Sequence, residues 1–289
     1  MTWTVVARKE VAYASRSRML QSLGAVLFGL VGLVTLVVWR VAEDPSAEAL
    51  ASELGVPLLL IVPIASLIAG YTAIVGERRS GRLALLLGLS PTRREVLLGT
   101  FLGRSAVVAG VVVAAFALAA AFSAVAVGSV PFADLVGLGA ATVLLALAFV
   151  GIAVGISAVA STRGRAMAAA VGCYLVFTLF WEVIVTGVYY AVNRQLPGVE
   201  VEPWFFALER LSPMLAYETV SNALIEGELQ SVVTVDARPP EVHATPFDEQ
   251  VIGEVPFYLE PWFSAVLLLA WAVLPVLIGL HRFERGDLR

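Results

Sequence analysis

Six stretches of the chain carry almost no charge, and the polar residues gather between them. Apolar spans run over about 19–39, 54–76, 105–127, 135–160, 166–192 and 261–280. Arg18 and Arg40 bracket the first, and Glu53 and Glu77 the second. The third and fourth are parted by Asp134 close to Pro131, and Glu182 is the one charge inside the fifth. About 20 apolar residues are needed for a helix to cross a bilayer, and each run is long enough. The pattern predicts an all-α membrane protein of six transmembrane helices in a single domain over 1–289. Composition agrees: 59% of residues are hydrophobic and 15% charged, with a mean hydropathy of +0.88. A soluble domain of this size could not hide that much apolar surface.

The charges predict an orientation. With the N-terminus in the cytoplasm, the inside segments are 1–18, 77–104, 163–165 and 281–289. These hold 15 of the 19 basic residues and 5 of the 23 acids. The outside segments hold 17 acids and four basic residues, Arg40, Arg194, Arg210 and Arg238. The reverse orientation violates the positive-inside rule in nearly every loop, so both termini are expected in the cytoplasm. Among the basic residues only Lys9 is lysine. Either a GC-rich coding sequence or a high-salt host, archaeal ones included, would give that bias.

Three segments between or before the spans have a character of their own. Residues 1–18 read as an amphipathic, basic lead-in helix. The inside loop 77–104 alternates Arg78, Arg79, Arg82, Arg93, Arg94 and Arg104 with an apolar strip of Leu83, Leu85, Leu86, Leu87 and Leu89. Gly88, Ser90 and Pro91 break that pattern and Thr92 restarts a helix. A helix, a sharp turn and a second helix at the membrane surface are expected. The outside loop 194–260 holds 12 acids and three basic residues. Trp204, Phe205, Leu208, Leu211, Leu215, Val220 and Leu224 follow helical spacing, so its first half, 204–229, is expected to be a helix capping the outer mouth. Its second half is expected to be irregular or a short hairpin.

Missing residues exclude several classes. A Walker A loop needs a lysine to reach the phosphates, and Lys9 sits in Ala-Arg-Lys-Glu, so the chain is not itself a P-loop ATPase. Cys173 stands alone and His243 and His281 are the only histidines. No His/Cys cluster exists to build a soft-metal site, and no cofactor is expected. A serine-based intramembrane protease needs a His or Lys base within a span, and neither histidine lies mid-span. Intramembrane acids mark ion pathways, and Glu182 is either a carboxylate bonded to a neighbouring helix or a group in a translocation path. Gly151-x-x-x-Gly155 and Gly99-x-x-x-Gly103 allow close helix approach, within the chain or at a subunit contact.

The loop 77–104 resembles a signature of the permease subunits of ABC-2 type transporters, most closely the NosY-like group of archaea and bacteria. The matching residues are Glu77, Arg78, Gly81, Leu83, Leu86, Leu87, Ser90, Pro91, Arg93, Arg94, Val96, Gly99 and Gly103. Arg82 and Thr100 depart from it, standing where a small polar residue and a lysine are common. The start Val5 to Glu10 and the end Phe283 to Leu288 resemble the family's lead-in helix and tail. The resemblance implies a multi-pass plasma-membrane permease that is not itself an enzyme. It would work as an exporter with a separate ABC ATPase subunit and a second permease copy or paralogue, in the lipid bilayer and without nucleic acid. It implies that Glu77, Arg78, Gly81, Leu83, Leu86, Leu87, Ser90, Pro91, Arg93 and Arg94 couple to the ATPase, and that the second and fifth spans line the path. NosY-like members are tied to assembly of a copper enzyme, but the few His, Cys and Met residues here give no support for direct copper transport. A membrane scaffold driven by an ATPase, and a secondary transporter, are the alternative readings. Cargo is not indicated.

Overall fold

The computed structural model describes residues 3–14, 16–41, 47–79, 92–126, 128–225, 229 and 238–285. Among these the regular structure is helical, with one isolated bridge pairing Val201 and Val251. Helix α1 covers Trp3–Ala14, α2 Arg18–Val41, α3 Ala47–Gly70 and α4 Val75–Arg79. Helix α5 covers Arg93–Ala126 and α6 Phe132–Val159. Helix α7 (Arg163–Leu175) runs through a π turn, Val176–Phe180, into α8 (Trp181–Asn193). Two short helices, α9 (Pro203–Arg210) and α10 (Pro213–Asn222), a four-residue α11 (Phe247–Gln250) and the long α12 (Pro261–Arg285) complete the order. Six of the described helical stretches are long and apolar enough to cross a membrane: Gln21–Arg40, Ser52–Arg78, Arg93–Val125, Phe132–Val159, Arg163–Asn193 and Pro261–Arg285. The expected six-span, all-α membrane fold is the observed one.

Helix α6 is apolar around its whole circumference, the mark of a helix surrounded by protein. It packs against α12, α3 and α5, and Leu138, Ala141, Leu145 and Phe149 are fully buried. Its tightest seam is with α12. A side chain at Gly151 would run into the backbone of Ala272, one at Gly155 into that of Pro275, and Gly279 answers from the other side. The Gly151/Gly155 pair is thus an intrachain packing motif. So is the second pair: side chains at Gly99 and Gly103 would strike Trp3, Val6, Ala7 and Glu10 of α1, which lies along α5.

Two expectations are corrected. The helix restarting at Thr92 is not a separate surface element, because α5 is continuous from Arg93 to Ala126. Thirty-four residues at 1.5 Å each give a rod of about 51 Å, well beyond a ~30 Å hydrocarbon core. A reciprocal capping box starts it: the Thr92 N–H donates to Glu95 Oε2 (2.9 Å) and the Glu95 N–H to Thr92 Oγ1 (3.3 Å). No breaker follows, and α1 covers the two glycines.

The expected single helix 204–229 is two helices. Ser212 accepts from the Met214 N–H (3.3 Å) as an N-cap, and Pro213 takes the first helical position. That Ser-Pro step separates α9 from α10. Helix α9 packs on α8, whereas α10 packs into the bundle against α12, α6 and α3. Trp181 Nε1 donates to the carbonyls of Leu208 (3.2 Å) and Glu209 (3.0 Å), and Trp271 Nε1 to that of Leu211 (2.8 Å). Trp271 lies ten residues into α12, about 15 Å along its axis. Tyr217, fully buried, meets Thr142 of α6 at 3.2 Å. In the second half of the outer loop, 238–260 is irregular with short helical turns.

Candidate coupling site at the arginine-rich end

Helices α3, α4, α5, α6 and α12 bring their polar ends together at one end of the bundle. The turn after α3 is fixed first. Buried Ser157 of α6 accepts from the backbone N–H groups of Ile74 (3.0 Å) and Val75 (3.1 Å). These are orphan donors at the start of α4, so the hydroxyl acts as a remote cap. Helix α4 then presents Glu77 and Arg78.

Arg78 reaches the end of α6. Its Nη1 and Nη2 donate to the carbonyls of Ala160 (3.4 Å) and Ala158 (3.2 Å). Arg93, at the start of α5, does the same for α12, with Nη1 donating to the carbonyls of Phe283 (2.5 Å) and Glu284 (3.0 Å). The last carbonyls of a helix lack intrahelical donors and carry the negative end of its dipole, so both guanidinium groups satisfy what those helix ends lack. Between them lies the buried ring of Phe283, 5.7 Å from the Arg78 Cζ and 5.6 Å from the Arg93 Cζ. Arg94 pairs with Glu284 at 2.6 Å on the exposed rim.

A second polar knot ties on α1. Glu10, its side chain 5% exposed, pairs with Arg104 of α5 (11%) at 2.9 Å. Lys9 lies 3.7 Å from Glu77 and 3.8 Å from Glu10. One network therefore joins α1, α4 and α5.

Of the residues expected to couple to an ATPase, Glu77, Arg78, Arg93 and Arg94 are thus brought to one patch. Gly81, Leu83, Leu86, Leu87, Ser90 and Pro91 lie outside the described residues, which skip 80–91. Glu182 is not part of the patch: it sits half-buried mid-span, two residues past the π turn. Sequence reasoning did not assign Lys9, Glu10, Arg104, Phe283 or Glu284 to this site. The available signal was three ionisable groups, Lys9, Glu10 and Arg104, placed next to apolar helix faces. Among the described residues, no group of three or more His, Cys, Asp or Glu side chains could hold a metal ion.

Comparison with known proteins agrees with this architecture. The family described as "ABC-2 family transporter protein" matches residues 4–288. The chain is 29% identical over 218 residues to a probable ABC transporter permease protein NosY of Pseudomonas aeruginosa, covering 72% of this chain and 78% of that one. It is 26% identical over 280 residues to a probable ABC transporter permease protein NosY of Stutzerimonas stutzeri, covering 93% and 96%.

Proposed function

Because the chain belongs to the ABC-2 family of transporter proteins, we propose that it is the permease of an ATP-driven exporter whose loop 80–91 receives the stroke of a separate ATPase subunit. Family membership makes it a multi-pass membrane protein of an ABC transporter system. The observation that carries the coupling reading is the double anchorage of that loop. Its leading side is held by Arg78 to the last carbonyls of α6, and its trailing side by Arg93 to the last carbonyls of α12. Helices α6 and α12 share the glycine seam. A push on the loop would reach the two helices that share the most extensive contact, α6 and α12, through bonds rather than through a flexible tether. Leu83, Leu86 and Leu87 would supply the contact with the ATPase.

The arginine-rich end faces the cytoplasm in this reading, because 15 of the 19 basic residues then lie inside. Two copies, or one with a paralogue, would enclose the path, with α3 and the α7–α8 span beside it. Glu182 would then be a path-side group without a proton-coupling role. Export follows the resemblance in loop 77–104.

The test is recovery of the ATPase from mild detergent with Leu86→Glu/Leu87→Glu permease. The double variant should insert normally and lose the ATPase, whereas undiminished recovery overturns the assignment. A cysteine at Asp236 should react with an impermeant thiol reagent in intact cells and one at Ser80 should not; labelling at Ser80 overturns the orientation. ATP hydrolysis without any solute movement in liposomes would favour the scaffold over the exporter.

A further inference from the structure

At the end of the molecule opposite the arginine patch, α9, α10, α11 and the start of α12 surround a cavity of about 650 Å³. Its walls carry four carboxylates, Glu209, Glu218, Asp248 and Glu260, and two guanidinium groups, Arg210 and Arg238. The two arginines differ. Arg238 donates to Gln250 Oε1 (3.2 Å), and the Gln250 amide is itself held by the carbonyls of Val242 (3.1 Å) and Thr245 (2.7 Å). Arg210 has no such partner. It is 8% exposed, its Cζ lies 4.7 Å over the Phe247 ring, and its Nη1 meets no hydrogen-bond acceptor. Glu209 and Glu260 act on it through space and do not bond it.

A buried guanidinium with an unmet donor is costly unless an acceptor arrives. That need selects an oxyanion, which a guanidinium binds in a planar, charge-assisted way. The rest of the wall selects against a bare anion, since carboxylates outnumber guanidinium groups four to two. A divalent cation is disfavoured as well, because no three acidic side chains converge among the described residues. One ligand class answers both signs at once, a zwitterion with an anionic group and an ammonium on one small body.

We propose that this cavity binds a zwitterion, its carboxylate or phosphate on Arg210 and its ammonium on the exposed carboxylate of Glu260. The ligand is either a free amino-acid-like solute or the phosphoethanolamine headgroup of a lipid. The proposal is independent of the coupling reading, since it concerns the opposite end of the molecule.

The experiment is calorimetric titration of the purified full-length permease in nanodiscs of phosphatidylcholine with glycine and with phosphoethanolamine. Acetate and ethylamine serve as half-ligand controls. At least one zwitterion should bind at least about tenfold more tightly than either half, equivalent to ~1.4 kcal/mol. Arg210→Gln should lose that binding, and Arg210→Lys should keep part of it. Glu260→Gln, at an exposed position, provides an arm that does not risk the fold. It should weaken zwitterion binding and leave acetate unchanged or stronger. Nanodiscs containing phosphatidylethanolamine separate the sources: suppressed phosphoethanolamine binding there identifies the lipid headgroup, and unchanged binding a soluble ligand. Absence of binding by both zwitterions, or equal binding by wild type and Arg210→Gln with both folded, overturns the proposal.

Discussion

The two ends of the bundle are held together by different chemistry. At the arginine-rich end, guanidinium groups tie helices: Arg78 and Arg93 close the ends of α6 and α12, and Arg104 pairs with the Glu10 side chain of α1. At the acid-rich end, rings do that work. Tyr189 stacks on Trp204 with centroids 5.5 Å apart, Phe205 meets Tyr189 edge-on at 5.3 Å, and Phe206 meets Phe247 at 5.0 Å. Indole N–H groups of Trp181 and Trp271 bond the carbonyls of Leu208, Glu209 and Leu211 around the α9–α10 junction. The excess of one charge sign therefore has a different meaning at each end. Arginines at one end are structural ties, whereas the acids at the other line a cavity and leave cohesion to aromatic packing.

This contrast can be broken or sharpened. The largest effect is expected from Phe205→Ala, which empties a fully buried ring position in the aromatic cluster. Loss of about 3–5 kcal/mol should appear in denaturant unfolding in micelles, with protease cleavage first in the α9–α10 segment. Next is Arg104→Met, which leaves the buried Glu10 carboxylate with only the longer Lys9 contact at 3.8 Å and should cost about 3 kcal/mol. Combining it with Glu10→Gln should recover much of that loss, because the burial penalty of the weakly compensated charge disappears. Equal losses in the single and double variants would mean that the pair is not a tie. Tyr217→Phe removes the hydroxyl that meets Thr142 and should cost about 1 kcal/mol, read as a lower Tm with unchanged assembly. The smallest effect is expected from Arg94→Gln. Its side chain is 68% exposed, and exposed pairs contribute little, so thermal unfolding should not change. A measurable shift would show the rim pair to be as structural as Arg93.

Much of the frame could be read from hydropathy and charge, because a span is specified by its own composition. The six apolar runs and the gathering of basic residues at one end needed no knowledge of neighbours. Reading failed where a residue's role depends on a remote partner. Arg78 and Arg93 stood in a recognisable motif, yet the carbonyls they cap lie about 80 and 190 residues away in sequence, beyond the reach of local rules. The pairing of Glu10 with Arg104 likewise depends on α1 lying along the glycines of α5. The broken outer helix is a different kind of miss. Ser212-Pro213 is a strong local start signal, and helical periodicity on both sides of it masked the break. Nothing local could have announced that α10 packs into the bundle, since its apolar face suits either burial or an interfacial position.

The π turn at Val176–Phe180 has a consequence in terms of chain length. A π turn accommodates one residue more than an α-helical turn, while the flanking helix keeps its course. Removing a single residue from 176–180 would restore regular α-helix and leave Cys173 and Val185 on the faces they now occupy. The same deletion within α6 would rotate everything beyond it by about 100° and turn Gly155 away from α12. Within one bundle, then, the fifth span can absorb a one-residue insertion or deletion that the fourth cannot. Length variation among functional variants of this chain should collect at the π turn and be absent from 138–158.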